Sequence, residues 1–484
     1  MGNEWPLTKL GDFVDIKTGN PFKSKDYSEN EGIRLLRGDN IVQGQFRWAN
    51  VKYWPENLLG DKENNYFLIN GDVILAMDRP WIEAGLKTAQ INDTDLPCLL
   101  VQRTACLRTK IPDDQDYLRY LISSYWFVQY VKLVQTGTAV PHISPKQIKD
   151  FEFKKPPQKD RILIGKMMKS LDSKIHLNLQ TNQTLEQMAQ TLFKSWFVDF
   201  DPVFDNALLK AGIPTWASDS NEDDQQLLAS FPEALRPKAK LRLNALRSKQ
   251  KQGIPTQELG NEGFPSEFEF NEQLGWIPKG WASAQLGDLT TELRRGISPK
   301  YIEEGGVQVI NQKCIRNHEV NFSLCRRNNP ELRNITGRQL IVGDLLINST
   351  GVGTLGRMAQ VKYLEEETVI DSHLTIVRVK RDLYPAYSFA QMMLSMESHI
   401  EAIGEGSTGQ TELSRKIVSE LWVLVPQEQA LIDLDNQLKA YSDKMVLNTR
   451  KNIKLTKLRD TLLPKLISGE LQIPIAEQLV KEMA

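Results

Sequence analysis

The chain repeats itself, and the repeat constrains its fold more than any other feature. Trp5-Pro-Leu-Thr-Lys-Leu-Gly-Asp12 returns as Trp281-Ala-Ser-Ala-Gln-Leu-Gly-Asp288, and Leu68-Ile-Asn-Gly-Asp-Val-Ile-Leu75 returns as Leu340-Ile-Val-Gly-Asp-Leu-Leu-Ile347. Further on, Lys174, Asn178, Asn182, Leu185, Thr191 and Leu192 match Lys444, Asn448, Asn452, Leu455, Thr461 and Leu462. The offset between copies drifts from 276 to 270 residues over the first part and then stays fixed. Surface loops absorb insertions, whereas a helix with an apolar stripe does not. Each copy is therefore read as a region of strands and loops followed by one rigid helix.

The early parts, 1–157 and 276–427, mix short apolar strands with turn signals such as Thr18-Gly-Asn-Pro21 and Asn70-Gly71. Each has room for one helix, near 116–135 and near 386–403. The late parts, 158–199 and 428–469, are expected to be long helices, with prolines before them and Asp201-Pro202 and Gly469 as stop signals. Between the copies, 200–275 reads as a linker with a short amphipathic helix around 233–250, and 470–484 as a tail. The fold class is α+β: two similar globular α/β domains separated by two long helices packed as an antiparallel coiled coil, related by a pseudo-two-fold internal repeat.

Alternating steps of four and three from Ile164 give Met168, Leu171, Ile175, Asn178, Asn182, Leu185, Ala189, Leu192 and Trp196. The second helix gives Leu434, Leu438, Tyr441, Met445, Asn448, Asn452, Leu455, Arg459, Leu462 and Leu466. A 3.5-residue apolar repeat of this length is a coiled-coil seam. Its asparagines straddle the midpoint of each helix, so antiparallel packing is expected to set Asn178 against Asn452 and Asn182 against Asn448. An amide facing leucine would be unsatisfied at about 1–3 kcal/mol, so the four asparagines are expected to fix the register. A 33-residue seam would be a rod of about 48 Å, of the order of one to one and a half turns of DNA.

A net charge of −1 by itself argues against nucleic acid, but it conceals blocks. From Arg294 to Arg338 nine Arg or Lys face four Glu, residues 211–235 hold five acids and no base, and 236–251 hold seven bases and no acid. Such segregation lets a near-neutral chain present a basic face to phosphates. No apolar run approaches the ~18 residues of a membrane span, the first ten residues lack a signal-peptide core, and four cysteines make no disulfide framework. A cytoplasmic protein with reduced thiols is expected.

Chemistry-bearing motifs are few. Gly351-Val-Gly-Thr-Leu-Gly356 fits GxGxxG, but Met358–Tyr363 reads as a strand rather than a helix, which makes the glycines a hairpin turn. Gly165-Lys166 lacks the rest of a phosphate loop. Lys155-Pro-Pro-Gln158 lacks the motif of amino-base methylation, and the five histidines lack HExxH spacing. No catalytic residue and no metal site is expected, and Cys314 and Cys325 read as plain thiols.

The order of Leu10-Gly-Asp12, Leu192-Phe-Lys-Ser-Trp-Phe-Val-Asp-Phe-Asp-Pro-Val203, Phe264-Pro-Ser-Glu-Phe268, Leu274-Gly-Trp-Ile-Pro-Lys-Gly-Trp281 and Leu463-Pro-Lys-Leu-Ile-Ser-Gly-Glu470 resembles the specificity (S) subunits of type I restriction–modification systems. With the repeat, the similarity covers almost the whole chain. The resemblance implies two target-recognition domains, each reading half of a bipartite, asymmetric double-stranded DNA sequence. It also implies spacer helices that dock two methylation (M) subunits, with restriction (R) subunits joining the full complex. Cofactors are expected on those partners (S-adenosylmethionine, ATP and Mg2+) and none on this chain, and no membrane partner is expected. A methyltransferase or nuclease with its own active site, or a bivalent protein adaptor, is the alternative.

The family's base-contacting residues vary, so candidates rest on polar loops at equivalent places. In the first domain they are Lys23, Lys25, Arg37, Asn40, Arg79, Lys87, Thr138 and His142; in the second they are Arg294, Arg295, Lys300, Lys313, Arg316, Arg357, Thr408 and Arg415. Arg and Lys suit guanine edges and phosphates, and Asn suits adenine. Trp81 could stack on a base or sit in the core. Reversing the charge of Arg294 and Arg295 is expected to weaken DNA binding without unfolding the chain.

Overall fold

The structure, a computed structural model, describes residues 5–137, 140–212, 221–252, 260–351, 353–404 and 412–483. The chain divides into two units, Met1–Leu179 with Thr449–Ala484, and Gln180–Asn448.

In the first unit, an antiparallel sheet runs in the order Val14–Thr18, Thr104–Thr109, Val73–Ala76, Thr88–Gln90. A second sheet pairs Ile33–Leu36 with Tyr53–Trp54 and, in parallel, with Cys98–Leu100. The strand Val73-Ile-Leu-Ala76 is apolar throughout because both of its faces are covered. Val73 and Leu75 face helices Gln115–Ile122 and Tyr125–Val134 and the start of the first long helix, while Ile74 and Ala76 face Leu36, Cys98 and Leu100 of the second sheet. One helix was expected here and two form. Ser123 ends the first and Ser124 caps the second, its Oγ accepting from the Phe127 amide.

The second unit repeats this plan. Its four-stranded sheet has the order Thr290–Arg295, Leu374–Val379, Leu345–Asn348, Met358–Gln360, and a second sheet carries Val307–Ile310 parallel to Thr368–Ile370. Leu345 and Ile347 join one core and Leu346 the other. Gly351 and Gly356 lie in the hairpin between Leu345–Asn348 and Met358–Gln360.

Two buried carboxylates organise the domains identically. Asp72 is held by the Arg108 guanidinium and accepts from the Ile69 amide; Asp344 is held by Arg378 and accepts from the Ile341 amide. A third pair differs. In the first unit Arg161, at the start of the long helix, makes a two-pronged ion pair with fully buried Asp114. The corresponding residues 270 positions later are Tyr384 and Leu431, both buried.

The long helices span Gln158–Phe193, followed by a π turn over Lys194–Val198, and Glu428–Ser468. Within the first unit they run antiparallel: Asp172 pairs with Arg459, and one turn and a half on, the Asn178 amide donates to Asn452 Oδ1 at 2.7 Å. Asn452 in turn donates to the Ile175 carbonyl at 3.2 Å. Within the second unit Asn448 donates to Asn182 Oδ1 at 2.8 Å, and Asn182 to the Met445 carbonyl at 3.1 Å. Leucines, isoleucine and methionines flank these amides, with Ile164, Met168, Leu171, Leu455 and Leu462 buried in one unit and Leu434, Leu438 and Met445 in the other.

The stretch 200–275, expected as a linker, contains much more structure. Phe200 takes a left-handed conformation at φ 56° and turns the chain into helices Asp201–Ala211, Asn221–Ala229 and Arg236–Lys251. They share a core of Phe204, Leu208, Leu227, Phe231, Leu243 and Leu246. Arg247 of the basic block pairs with Asp224 of the acidic one, while Arg242 pairs with Asp205 and Lys238 with Asp201 of helix Asp201–Ala211. Three of the seven bases in 236–251 are therefore spent on internal ion pairs. The tail also folds, as helix Ile473–Met483, with Ala476 buried and Leu471, Ile473 and Val480 against the first unit's core.

Replacing Asn448 by Leu leaves the Asn182 acceptor without its donor inside an apolar seam. Denaturant unfolding of the full chain is expected to show a loss of about 1–3 kcal/mol. Arg161→Leu, which strands the Asp114 carboxylate, is expected to cost about 3–5 kcal/mol. Adding Asp114→Tyr, the pairing that the second copy uses, is expected to recover most of that loss in the same measurement.

Candidate nucleic-acid interface

Antiparallel pairing brings several loops to one end of each four-stranded sheet. In the first unit the strand Val73–Ala76 ends where Thr88–Gln90 and Thr104–Thr109 begin and where Val14–Thr18 ends. The residues just beyond those strand ends are therefore neighbours: Asp78 and Arg79, Lys87 and Arg103; Lys23 and Lys25 lie farther along the loop after Thr18, which by Ser28 has reached Tyr53 beside the start of Ile33–Leu36. Arg37 follows Ile33–Leu36, whose end lies beside that of Cys98–Leu100, and so joins the same edge. Lys23, Lys25 and Arg79 are exposed, and Arg79 has a left-handed backbone whose N–H donates to the Pro141 carbonyl. Lys87 is half-buried, and that burial holds its amine below the ordinary lysine range.

His142 reaches this edge from the 136–142 segment. It bridges to Asp78 through the backbone, and its Nδ1 lies 2.6 Å from Asp78 Oδ1. The other Asp78 oxygen is 3.7 Å from Arg103. The Trp81 ring is partly buried beneath the Lys132 ammonium, which stands 3.9 Å from its centre. It packs against the core and is capped by a cation.

The second unit builds the same edge from different side chains. The Met77 amide donates to the Arg103 carbonyl as Ser349 donates to His373; Ala76 donates to Lys87 as Asn348 donates to Arg357; Asn40 donates to Arg37 as Cys314 donates to Asn311. The bridge Asp78↔His142 is matched by Thr350↔Glu412. Thr350 Oγ1 lies 2.9 Å from His373 Nδ1, and the Gln312 amide donates to the Thr350 carbonyl. Lys300, Lys313, Arg316 and Arg415 are exposed, while Arg357 is half-buried and donates to the Gly353 carbonyl.

Three of the sequence candidates are structural. Asn40 is buried, accepting from the Arg37 amide and donating to the Arg47 carbonyl, so its side chain closes its own loop. Arg294 is pinned between Glu292 and the Gly337 carbonyl. Arg295 donates to Glu412 and to the carbonyls of Ser372 and Leu413, and burial holds its guanidinium below the usual arginine range. Both arginines lie on the strand Thr290–Arg295, a pairing strand rather than a free loop. Thr138 and Thr408 lie outside the described residues.

Sequence reading missed Asp78, Arg103, Thr350, His373 and Glu412. Their signal was positional: Asp78, Arg103, Thr350 and His373 each follow or precede an apolar strand run, and single polar residues there look like any turn. It also missed the buried Asp72–Arg108 and Asp344–Arg378 pairs, although the Gly-Asp of each repeated strand pointed to them. Among the described residues no group of His, Cys, Asp and Glu could hold a metal ion, and no helix is long and apolar enough to cross a membrane.

The correction for Arg295 is measurable. Arg295→Glu removes three hydrogen bonds made by one guanidinium and is expected to lower stability by about 2 kcal/mol or more. Lys313→Glu, on an exposed side chain, is expected to stay within about 0.5 kcal/mol of the parent in the same melt.

Residues 2–187 match the type I restriction modification DNA specificity domain. The EcoAI specificity subunit of Escherichia coli is 36% identical over 162 residues, which are 33% of this chain and 27% of that one, so the match spans about a quarter of that relative. The HindI specificity subunit of Haemophilus influenzae is 26% identical over 375 residues, 74% of this chain and 77% of the other. The crystal structure of a type I restriction–modification S subunit from M. genitalium shares the fold, with a TM-score of 0.52 at 12% identity over 96% of each chain. The chain is thus similar to the specificity subunits of type I restriction–modification systems, by domain over residues 2–187, by sequence over 74% of its length and by fold over 96%.

Proposed function

We propose that this chain reads a bipartite, asymmetric double-stranded DNA target, one half with each α/β domain, and positions methylation subunits on it. One observation supports this reading above the others: the two domains carry the same strand ends and backbone hydrogen bonds, but different polar side chains on them. Different donors and acceptors on one scaffold read different base edges. Exposed Lys23, Lys25 and Arg79 in one domain, and Lys300, Lys313 and Arg316 in the other, supply phosphate contacts.

In this reading the chain is not itself an enzyme. Methyl transfer from S-adenosylmethionine belongs to two M subunits, and ATP- and Mg2+-dependent cleavage to R subunits of the full complex. Docking of the M subunits falls to the long helices.

Incubation with target DNA and a labelled methyl donor tests the proposal. Transfer is expected only when the methylation subunits are added, and transfer by the chain alone would reject it. DNA affinity of the complex is expected to fall steeply with salt, by about a thousandfold or more between 50 and 200 mM if six or more phosphates are contacted. Binding that ignores salt would favour the protein adaptor instead.

A further inference from the structure

The two domains agree where side chains are buried and disagree at one edge. The carboxylates of Asp72 and Asp344, 1% and 0% exposed, keep the same arginine partner in both copies. A few residues along, the bridge that ties the recognition edge together holds Asp78 with His142 in one copy and Thr350 with Glu412 in the other. Backbone geometry is shared at these positions, because the same amide-to-carbonyl bonds surround both bridges. If the side chains were needed only to hold the loop, the matching backbone would ask for matching side chains. Instead an acid and an imidazole are exchanged for a hydroxyl and an acid.

These side chains keep exposed surface beside the contacts they make, Glu412 with Arg295 and Thr350 with His373. Asp78 and His142 are 36% and 29% exposed and Glu412 is 64% exposed. Arg103 and His373 flank the two bridges at equivalent positions, and Arg103 is 64% exposed. The Asp78 contact orients the imidazole, and its rim position leaves polar edges turned to solvent. A carboxylate accepts from the amino group of cytosine or adenine, an arginine matches the two acceptors of guanine, and a threonine accepts or donates and offers a methyl group to thymine.

We infer that the bridged pairs Asp78–His142 and Thr350–Glu412 are base-reading positions, the first for one half of the target and the second for the other. The inference rests on the DNA-reading function proposed above and assigns that function to four side chains. Arg79, Lys87 and Arg357 beside them then contact the phosphate backbone and carry no sequence preference.

The test uses the assembled methylation complex, with methylated sites mapped by long-read sequencing of host DNA. Asp78→Asn and His142→Gln are expected to relax or change the base at one position of one half-site, lowering discrimination there about tenfold to a hundredfold, with the other half unchanged. Thr350→Val and Glu412→Gln are expected to do the same in the opposite half only. Each variant keeps the size of its parent, and a thermal melt of each complex verifies folding. Parent discrimination in both halves for all four variants would overturn the inference, as would a uniform loss of methylation from a complex that melts like the parent. A parent complex that methylates no site would instead defeat the underlying DNA-reading function. An Arg79→Gln complex separates reading from phosphate contact: its methylation is expected to weaken evenly across sites, and a changed base preference would count against the assignment.

Discussion

Four asparagine amides in a mainly apolar seam are the constraint that the architecture depends on. Each makes its hydrogen bond to an amide or a carbonyl of the facing helix, and each would face hydrocarbon if that helix slid along. Hydrophobic contact alone is tolerant of such slips, because one leucine fits a hole about as well as the next. A buried amide is not, since the loss of its partner exposes the full cost of desolvation. The helices could be more stable with leucine at these places and less uniquely paired. A single register is what the amides secure in place of that extra burial.

The repeat shows which other interactions the fold can exchange. Asp72–Arg108 and Asp344–Arg378 stand unchanged because each carboxylate also accepts from a loop amide, so it closes the turn before the central strand as well as neutralising the arginine. Asp114–Arg161 has become Tyr384 and Leu431. A buried ion pair gains little over well-packed apolar groups once its desolvation is counted, so either solution can occupy the space. The helix joint tolerates both solutions, while the turn keeps the one that satisfies its amide.

Particular residues show how far the sequence could be read. The strands around Val73–Ala76 and Leu345–Asn348 were legible because runs of three or four apolar residues flanked by turn signals have few other fates. The seam was legible because its period is strict over many turns. Charge was not: Arg294 and Arg295 head a basic stretch of the chain, yet their partners Glu292, Gly337, Ser372 and Leu413 consume them. Three bases of the 236–251 block are consumed in the same way, since Asp201, Asp205 and Asp224 come from neighbouring helices that composition alone made a linker. A charge count records what a residue carries and not whom it meets.

The sequence by itself determined the doubling of the chain, the polarity of its strands and helices, and the spacing of the asparagines, because these follow from periodicity along one dimension. Only the tertiary structure decided which loops share an edge and which cations face solvent there. Asp78 and His142 are 64 residues apart, and Thr350 and Glu412 are 62 apart, and nothing local to either member marks the other. Their meeting is set by antiparallel pairing, which brings the end of one strand to the beginning of the next, and pairing partners are chosen by packing across the whole domain rather than by any segment of it.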